Sequence, residues 1–592
     1  MAPSTPSSHR PRKKRTIATP PGSNNSLIIH TSDTQQLPAF PLVSFLWAAR
    51  AGVSQWLILP LTLMVVGLFR WAVSLWGYSG HNVPPMYGDF EAQRHWMEIT
   101  SHLPMANWYL YDLQYWGLDY PPLTAYHSWL CGKIGAIFDP SWFALDTSRG
   151  IEGPDLKVYM RATVFISEYL VFVPAVVTFL RRYTRMHGVH AWSASIALVA
   201  ILLQPATILI DHGHFQYNTV MLGLVVASLD AILAGRMLWA CIFFVGALGF
   251  KQMALYYAPV MFAYLLGVCV FPRIHVFRLL NIALVTLATF ALLLTPLLYG
   301  ATSSQARELF ASSPEPPLLQ ALSLSLDKKS LAYALLFQCT QVIHRIFPFA
   351  RGLFEDKVAN AWCAIHTFYK LHRFDASLLQ RASLGATLAS ILVPCVVIFR
   401  HPRASLLLPA MSCVAWGFFL FSFQVHEKSV LLPLLPMTLS LASDGGLSKQ
   451  NRAWVGWANI LGCWTMYPLL KREELRMPYV VMTLLWAYLL GLPPTSFEIL
   501  RSRTSSDIKP LEPHLLSKLI HLAFYTVMIG WHVIEALMPP PDGKPDLWVV
   551  LNALIGAAGF GLAYLWCMWK LIAQCRQIEA CVADDDNRKK KQ

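Results

Sequence analysis

Long uncharged runs constrain this chain more than any other feature of it. Ala51 to Phe69, Ala191 to Ile210, Gln252 to Phe271, Leu279 to Ala306, Ala404 to Val425 and Leu547 to Trp569 carry no charged side chain. Each is near or above the ~18 residues that take a helix across ~30 Å of hydrocarbon. Strands alternating at period two would build a barrel, but these runs are continuously apolar, so helices follow. Only 14% of the 592 residues are charged, against roughly a quarter in a soluble domain. The chain reads as an all-α polytopic membrane protein.

Roughly fourteen spans are expected. They lie near 55–77, 159–180, 192–210, 217–235, 237–250, 253–271, 277–299, 379–399, 404–424, 428–443, 453–469, 477–493, 514–538 and 546–572. Residues 1–54, rich in Ser, Pro and Thr with Arg10, Arg12, Lys13, Lys14 and Arg15, read as a disordered basic tail. With that tail in the cytosol, alternate loops carry Arg181, Arg182 and Arg185, then Arg273 and Arg278, then Arg400 and Arg403, then Arg501 and Arg503. The stretch with Lys471, Arg472 and Arg476 breaks this alternation. The tail 576–592 ends in Lys589-Lys590-Lys591-Gln592, which resembles a dilysine retrieval signal or is simply solvated.

Two long loops, 78–158 and 300–378, fall on the far side. In the first, Leu123, Tyr126, Trp129, Leu130, Ile134 and Ile137 recur at helical spacing, predicting an interfacial helix over 122–138. The net charge of +14 is dispersed over loops and tails, and no nucleic-acid motif accompanies it. The 11 cysteines, odd in number and mostly inside apolar spans, read as small hydrophobes; Cys339 and Cys363 share a loop and are the one candidate pair.

Four polar clusters then stand at span ends on that far side: Gly88–Trp96 with Trp116–His127, Asp211–Asn218, Phe250-Lys251-Gln252, and His426-Glu427-Lys428. Polar groups at membrane depth are costly and mark functional cavities. Asp89 and Asp119 are flanked by aromatic rings of the kind that stack on sugar faces. His212 and His214 project on different helical faces, and no zinc-type spacing accompanies them. Glu168 and Asp230, inside spans, read as relay groups or as helix–helix hydrogen bonds.

GDFEAQRHW, YWGLDYPPLTAYHS, DHGHFQYN, FKQM and VHEKS resemble the endoplasmic reticulum dolichyl-phosphate-glucose-dependent α-1,3-glucosyltransferases. The resemblance covers about residues 70 to 480 and is closest to the enzymes adding the first glucose to lipid-linked Man9GlcNAc2. Gly213 and Leu123-Thr124-Ala125 separate the chain from the enzymes adding the second, which have bulkier residues there. The resemblance implies a GT-C glycosyltransferase fold in the endoplasmic reticulum membrane, an active site in the lumen, and dolichyl-phosphate-glucose and a lipid-linked oligosaccharide as substrates. No cofactor or metal is expected.

A β-linked glucose becoming α-linked inverts its anomeric centre in one displacement. Inverting glycosidases need a base and an acid, but a phosphate leaves without protonation, so one carboxylate suffices. By resemblance that base is Asp89, taking the proton of a mannose 3-hydroxyl. His426 and Lys428, with Lys251 behind them, are candidates for the leaving phosphate. Asp119, Tyr120, Asp211, His212, His214, Gln216, Gln252 and Glu427 complete the substrate-binding set, holding sugar hydroxyls or ordering loops. The alternatives are a mannosyltransferase of the same fold and a transporter, which would place its polar groups at mid-membrane in repeated broken helices.

Overall fold

The computed structural model describes residues 40–52, 55–347, 357–492 and 513–591, and these contain helices and turns but no strand. With no water in the bilayer core, a segment must satisfy its own backbone groups, and helices do so internally. Among the described residues 9 helices are long and apolar enough to cross a membrane, including Leu57–Ser74, Pro154–Met186, Val276–Gly300 and Ala376–Arg400. The remaining expected spans are also helical but shorter: Asn218–Leu233, Met237–Phe250, Leu431–Leu439, Lys449–Thr465 and Arg476–Leu489.

Burial sorts these helices into an inside and an outside. In Val276–Gly300 only 6% of the apolar stretch is buried, and Leu280, Leu284, Leu287 and Leu292 face outward. Those leucines form a lipid-facing stripe. Ala191–Phe215 and Ala404–Phe421 are each 78% buried, and fully buried Trp416, Trp457 and Trp464 fill the space between inner helices. Close approach uses glycine: a Cβ at Gly223 would lie 2.7 Å from the Phe172 Cα.

Polar pairs tie the spans laterally. Arg70 donates two bonds to Glu168, at 2.9 and 2.8 Å, and Glu168 also meets His212 at 2.5 Å. Arg182 pairs with Asp230 at 2.7 Å. Glu168 and Asp230 are therefore helix–helix ties.

The first long loop folds over one end of the bundle around the helix Gly88–His102. Arg94, fully buried, donates to Glu91 at 2.6 Å and to Glu98 at 2.7 Å, which fixes this helix to its own loop through Ser148 at 2.6 Å. The expected interfacial helix is Pro122–Phe138, with Trp129, Leu130, Ile134 and Ile137 exposed. The second long loop holds the helix Leu331–Ile346. From it Gln341 donates to the Tyr109 carbonyl at 2.8 Å and Arg345 to the Gly117 carbonyl at 2.8 Å. The two loops thus cap the same end.

Three expectations change. Cys339 and Cys363 are not joined in a disulfide. Pro41–Gly52, inside the expected disordered tail 1–54, is a helix, because PLVSFLW is apolar where the preceding residues are not. Phe40 packs there against the buried Arg452 guanidinium, 3.9 Å from its ring centroid. Residues 1–39 lie outside the described residues. At the other end the helix Leu547–Lys591 continues through the expected tail from 576.

Candidate active site

Asp89 is the second residue of the helix Gly88–His102, where backbone N–H groups favour a carboxylate. A tight strap delivers it. The Asp89 N–H donates to Ser79 Oγ at 3.1 Å, and the Ser79 N–H donates to the His214 carbonyl at 3.0 Å. Gly80 has φ +80°, and a Cβ there would lie 2.0 Å from the Tyr87 carbonyl carbon. Only glycine fits that strap.

The second motif is a π-helical turn, Leu209–Phe215, that ends the span Ala191–Phe215. Such turns are rare and are frequent at functional sites. Phe215 has φ 89°, a strained value for a bulky residue. Arg161 overdetermines the turn, donating to the Gly213 carbonyl at 2.7 Å and to the Gly77 carbonyl at 2.9 Å. The winding turns the two histidines apart. His212 faces Glu168, whereas His214 faces Asp89 at 2.9 Å.

Three sequence-distant segments converge on one oxygen, and a fourth joins them through Gln216. Asp89 Oδ2 accepts from Lys428 Nζ at 2.5 Å, from Gln216 Nε2 at 2.5 Å and meets His214 Nε2 at 2.9 Å. Lys428 Nζ also lies 3.0 Å from His214 Nε2. Beyond Gln216 the chain of bonds continues: Lys251 donates to Gln216 Oε1 at 3.0 Å and to Asn218 Oδ1 at 2.6 Å. Asn218 in turn donates to Asp211 at 2.8 Å, and the Thr219 N–H to its other oxygen at 2.6 Å. Among the described residues, all the side-chain bonds to Asp89 fall on Oδ2.

Burial pushes the Asp89 carboxyl up, but the Lys428 ammonium and the His214 imidazole outweigh it and hold the group well below the ordinary 3.8. Asp89 is therefore an anion throughout the neutral range. With Asp89 24% and Lys428 21% exposed, the pair is reachable from outside the bundle.

The remaining expected site residues are distributed around this centre. The Tyr120 ring lies 4.8 Å from Lys251 Nζ and 4.7 Å from the Trp96 ring. Asp119, next to it, is close enough to act on the Lys251 charge. His426 and Glu427 form the turn that presents Lys428, with the His426 N–H on Ser429 Oγ at 3.3 Å. Asp211 and His212 are fully buried and tied to Asn218 and Glu168, inside the wall of the site. Gln252 turns away, toward the Ile346 carbonyl at 3.4 Å.

Sequence reading missed Glu473. Its carboxylate holds His214 Nδ1 at 2.7 Å, on the side opposite Asp89. The signal was present: Glu473 sits in the stretch whose basic residues broke the loop-charge alternation. Lys471 there is paired with Glu535 and so is no guide to sidedness. Among the described residues the one grouping with metal-ligand spacing is His401, Cys575 and Glu579, at the opposite end of the helices from Asp89.

An all-helical, membrane-spanning bundle with one ionised carboxylate set among two lysines, a histidine and an amide at the mouths of its helices is a polytopic membrane enzyme. The ALG6, ALG8 glycosyltransferase family matches residues 66–311 and 329–569, and the chain belongs to that family. It is 42% identical over 534 residues to a probable dolichyl pyrophosphate Man9GlcNAc2 alpha-1,3-glucosyltransferase of Schizosaccharomyces pombe, covering 90% of this chain and 95% of the relative. The dolichyl pyrophosphate Man9GlcNAc2 alpha-1,3-glucosyltransferase of Saccharomyces cerevisiae is 42% identical over 566 residues, covering 92% and 97%. The Gallus gallus protein of the same name is 34% identical over 544 residues, covering 87% and 98%.

Proposed function

We propose that this protein moves glucose from dolichyl-phosphate-glucose onto Man9GlcNAc2-diphosphodolichol, forming an α-1,3 bond with inversion. The observation that carries this reading is the convergence of three motifs on Asp89, with the Lys251 motif joined to them through Gln216. The names of the relatives support the acceptor, and the lipid-linked donor suits a chain with no glycine-rich nucleotide loop.

In this reading the acceptor mannose 3-hydroxyl approaches Asp89 Oδ1, the oxygen opposite the bonded one. The hydroxyl oxygen attacks C1 of glucose and its proton passes to Asp89. The C1–O bond to phosphate breaks, and dolichyl phosphate leaves with the electron pair. Lys428 serves both ends of the step. In the resting site it is bound to Asp89; a donor phosphate competes for the same ammonium. Losing part of that cation raises the basicity of Asp89 when the base is needed. Glu473 holds His214 in place between the two.

The GT-C fold, all of the roughly fourteen helices as spans, placement in the endoplasmic reticulum membrane and a lumenal site belong to the same proposal. The arginines at 181, 182, 185, 400 and 403 support that orientation, lying at helix ends remote from Asp89. The test is reconstitution: purified protein with synthetic dolichyl-phosphate-glucose and a nine-mannose lipid-linked acceptor. One α-1,3-linked glucose is expected. Transfer of mannose instead, or no transfer of glucose, overturns the proposal.

A further inference from the structure

A second crevice opens at the opposite end of the bundle. The Pro154–Met186 helix sets its position. Arg161 on this helix binds the Gly213 carbonyl beside the Asp89 site, and Tyr183 on the same helix lines the crevice. At 1.5 Å per residue these lie roughly 33 Å apart along the axis, about the ~30 Å of a hydrocarbon core. The crevice is therefore on the other membrane face.

Its lining mixes apolar Leu408, Pro409 and Met437 with polar side chains and carries one cation. Tyr183, Ser405, Ser412, Trp566, Lys570 and Gln574 surround it, and no Asp or Glu lines it. Lys570 Nζ donates to the neutral Asn451 Oδ1 at 2.6 Å and lies 5.0 Å from the centroid of the Trp566 ring. Among the described residues it has no carboxylate partner. The Trp566 indole N–H and the Gln574 amide oxygen are buried and have no hydrogen-bond partner. A half-buried cation and an indole N–H left unused both await an acceptor, since buried polar groups are costly without one. Ser405 adds a hydroxyl donor at the rim.

We propose that this crevice binds the phosphate group of an anionic membrane lipid. Lys570 is the counter-ion, and Trp566 Nε1 and the Ser405 hydroxyl are donors to the phosphate oxygens. The depth selects the source: lipid phosphates lie at the membrane face where the crevice opens, and cationic side chains there attract them. Free phosphate offers the same oxyanion chemistry and is distinguished by the experiment.

The test uses the full-length protein, delipidated and returned to nanodiscs of phosphatidylcholine with or without phosphatidic acid. Bound lipid is counted by native mass spectrometry, and melting is followed with the same lipids and with inorganic phosphate. The wild type is expected to retain phosphatidic acid about fivefold over Lys570→Gln. Lys570→Arg should restore retention, and Trp566→Phe should reduce it. Trp566→Phe decides the matter if Lys570→Gln does not fold. Equal retention of phosphatidylcholine and phosphatidic acid by the wild type overturns the proposal. So does stabilisation by inorganic phosphate equal to that by phosphatidic acid.

Discussion

Glu473 and His214, 259 positions apart, are joined by a hydrogen bond of 2.7 Å, and the other nitrogen of the same ring meets Asp89 at 2.9 Å. The imidazole is clamped between two carboxylates, one partly exposed and one buried. Glu473→Gln keeps the shape and removes the charge. A hydrogen bond to a charged group is worth ~1.5–3 kcal/mol, so kcat should fall about tenfold to hundredfold with little change in melting temperature. Steady-state kinetics beside a thermal melt checks this; an unchanged kcat would show that His214 is held without Glu473.

Among the described residues Lys428 is the one lysine or arginine bonded directly to Asp89. Lys428→Met removes the donor-phosphate partner in the proposed mechanism. Truncating one side of a hydrogen-bonded charge pair costs ~2–5 kcal/mol, so the KM for the lipid-linked glucose donor should rise at least ~30-fold. The acceptor KM should move far less. Equal effects on both substrates would argue for a purely structural Lys428.

The depressed carboxyl of Asp89 has a pH consequence. A carboxylate lowered in the folded state adds stability above its unfolded value, and that stability is lost as pH falls through the folded one. Activity should therefore show no acid limb from Asp89 between about pH 5 and pH 8. The melting-temperature difference between wild type and Asp89→Asn should be constant there and shrink below the ordinary 3.8. A limb near neutrality that vanished in the substituted protein would place the Asp89 pKa elsewhere.

Arg94 holds Glu91 at 2.6 Å and Glu98 at 2.7 Å, and with burial opposed by His95 and Arg94 the Glu98 carboxyl is brought down to about 2. Arg94→Met takes the guanidinium from two buried carboxylates and leaves Glu98 to His95 and Ser148. Removing one partner of a buried pair costs about 3–5 kcal/mol, so the purified protein should melt well below the wild type. A melt within a degree or two would mean that the loop relaxes around the loss.

Much of the fold could be read from local pattern. The apolar run Leu279 to Ala306 became the helix Val276–Gly300, and the aromatic periodicity of 122–138 became a helix with those boundaries. The motifs holding Asp89, His214, Gln216, Lys251 and Lys428 were visible as polar clusters, and they meet as bonded neighbours. What sequence could not give was pairing at long separation. His212 and Asp211 stood in the same polar motif as His214, yet the π-helical turn sends them into the wall. Arg70 and Glu168 find each other across 98 positions, where no local periodicity operates. Glu473 was hidden differently: a charge rule built for solvated loops misread residues that are already paired.

The most direct test of the account is the rate of glucose transfer by Asp89→Asn beside the wild type, with the same synthetic donor and acceptor. Asparagine keeps the size and the contacts with Ser79 and removes the base. Loss of a positioned general base lowers the rate about 10²–10⁴-fold, and the melting temperature at neutral pH should fall only by the stability the ionised carboxylate adds. Transfer by Asp89→Asn at the wild-type rate would contradict the assignment of Asp89 as the base.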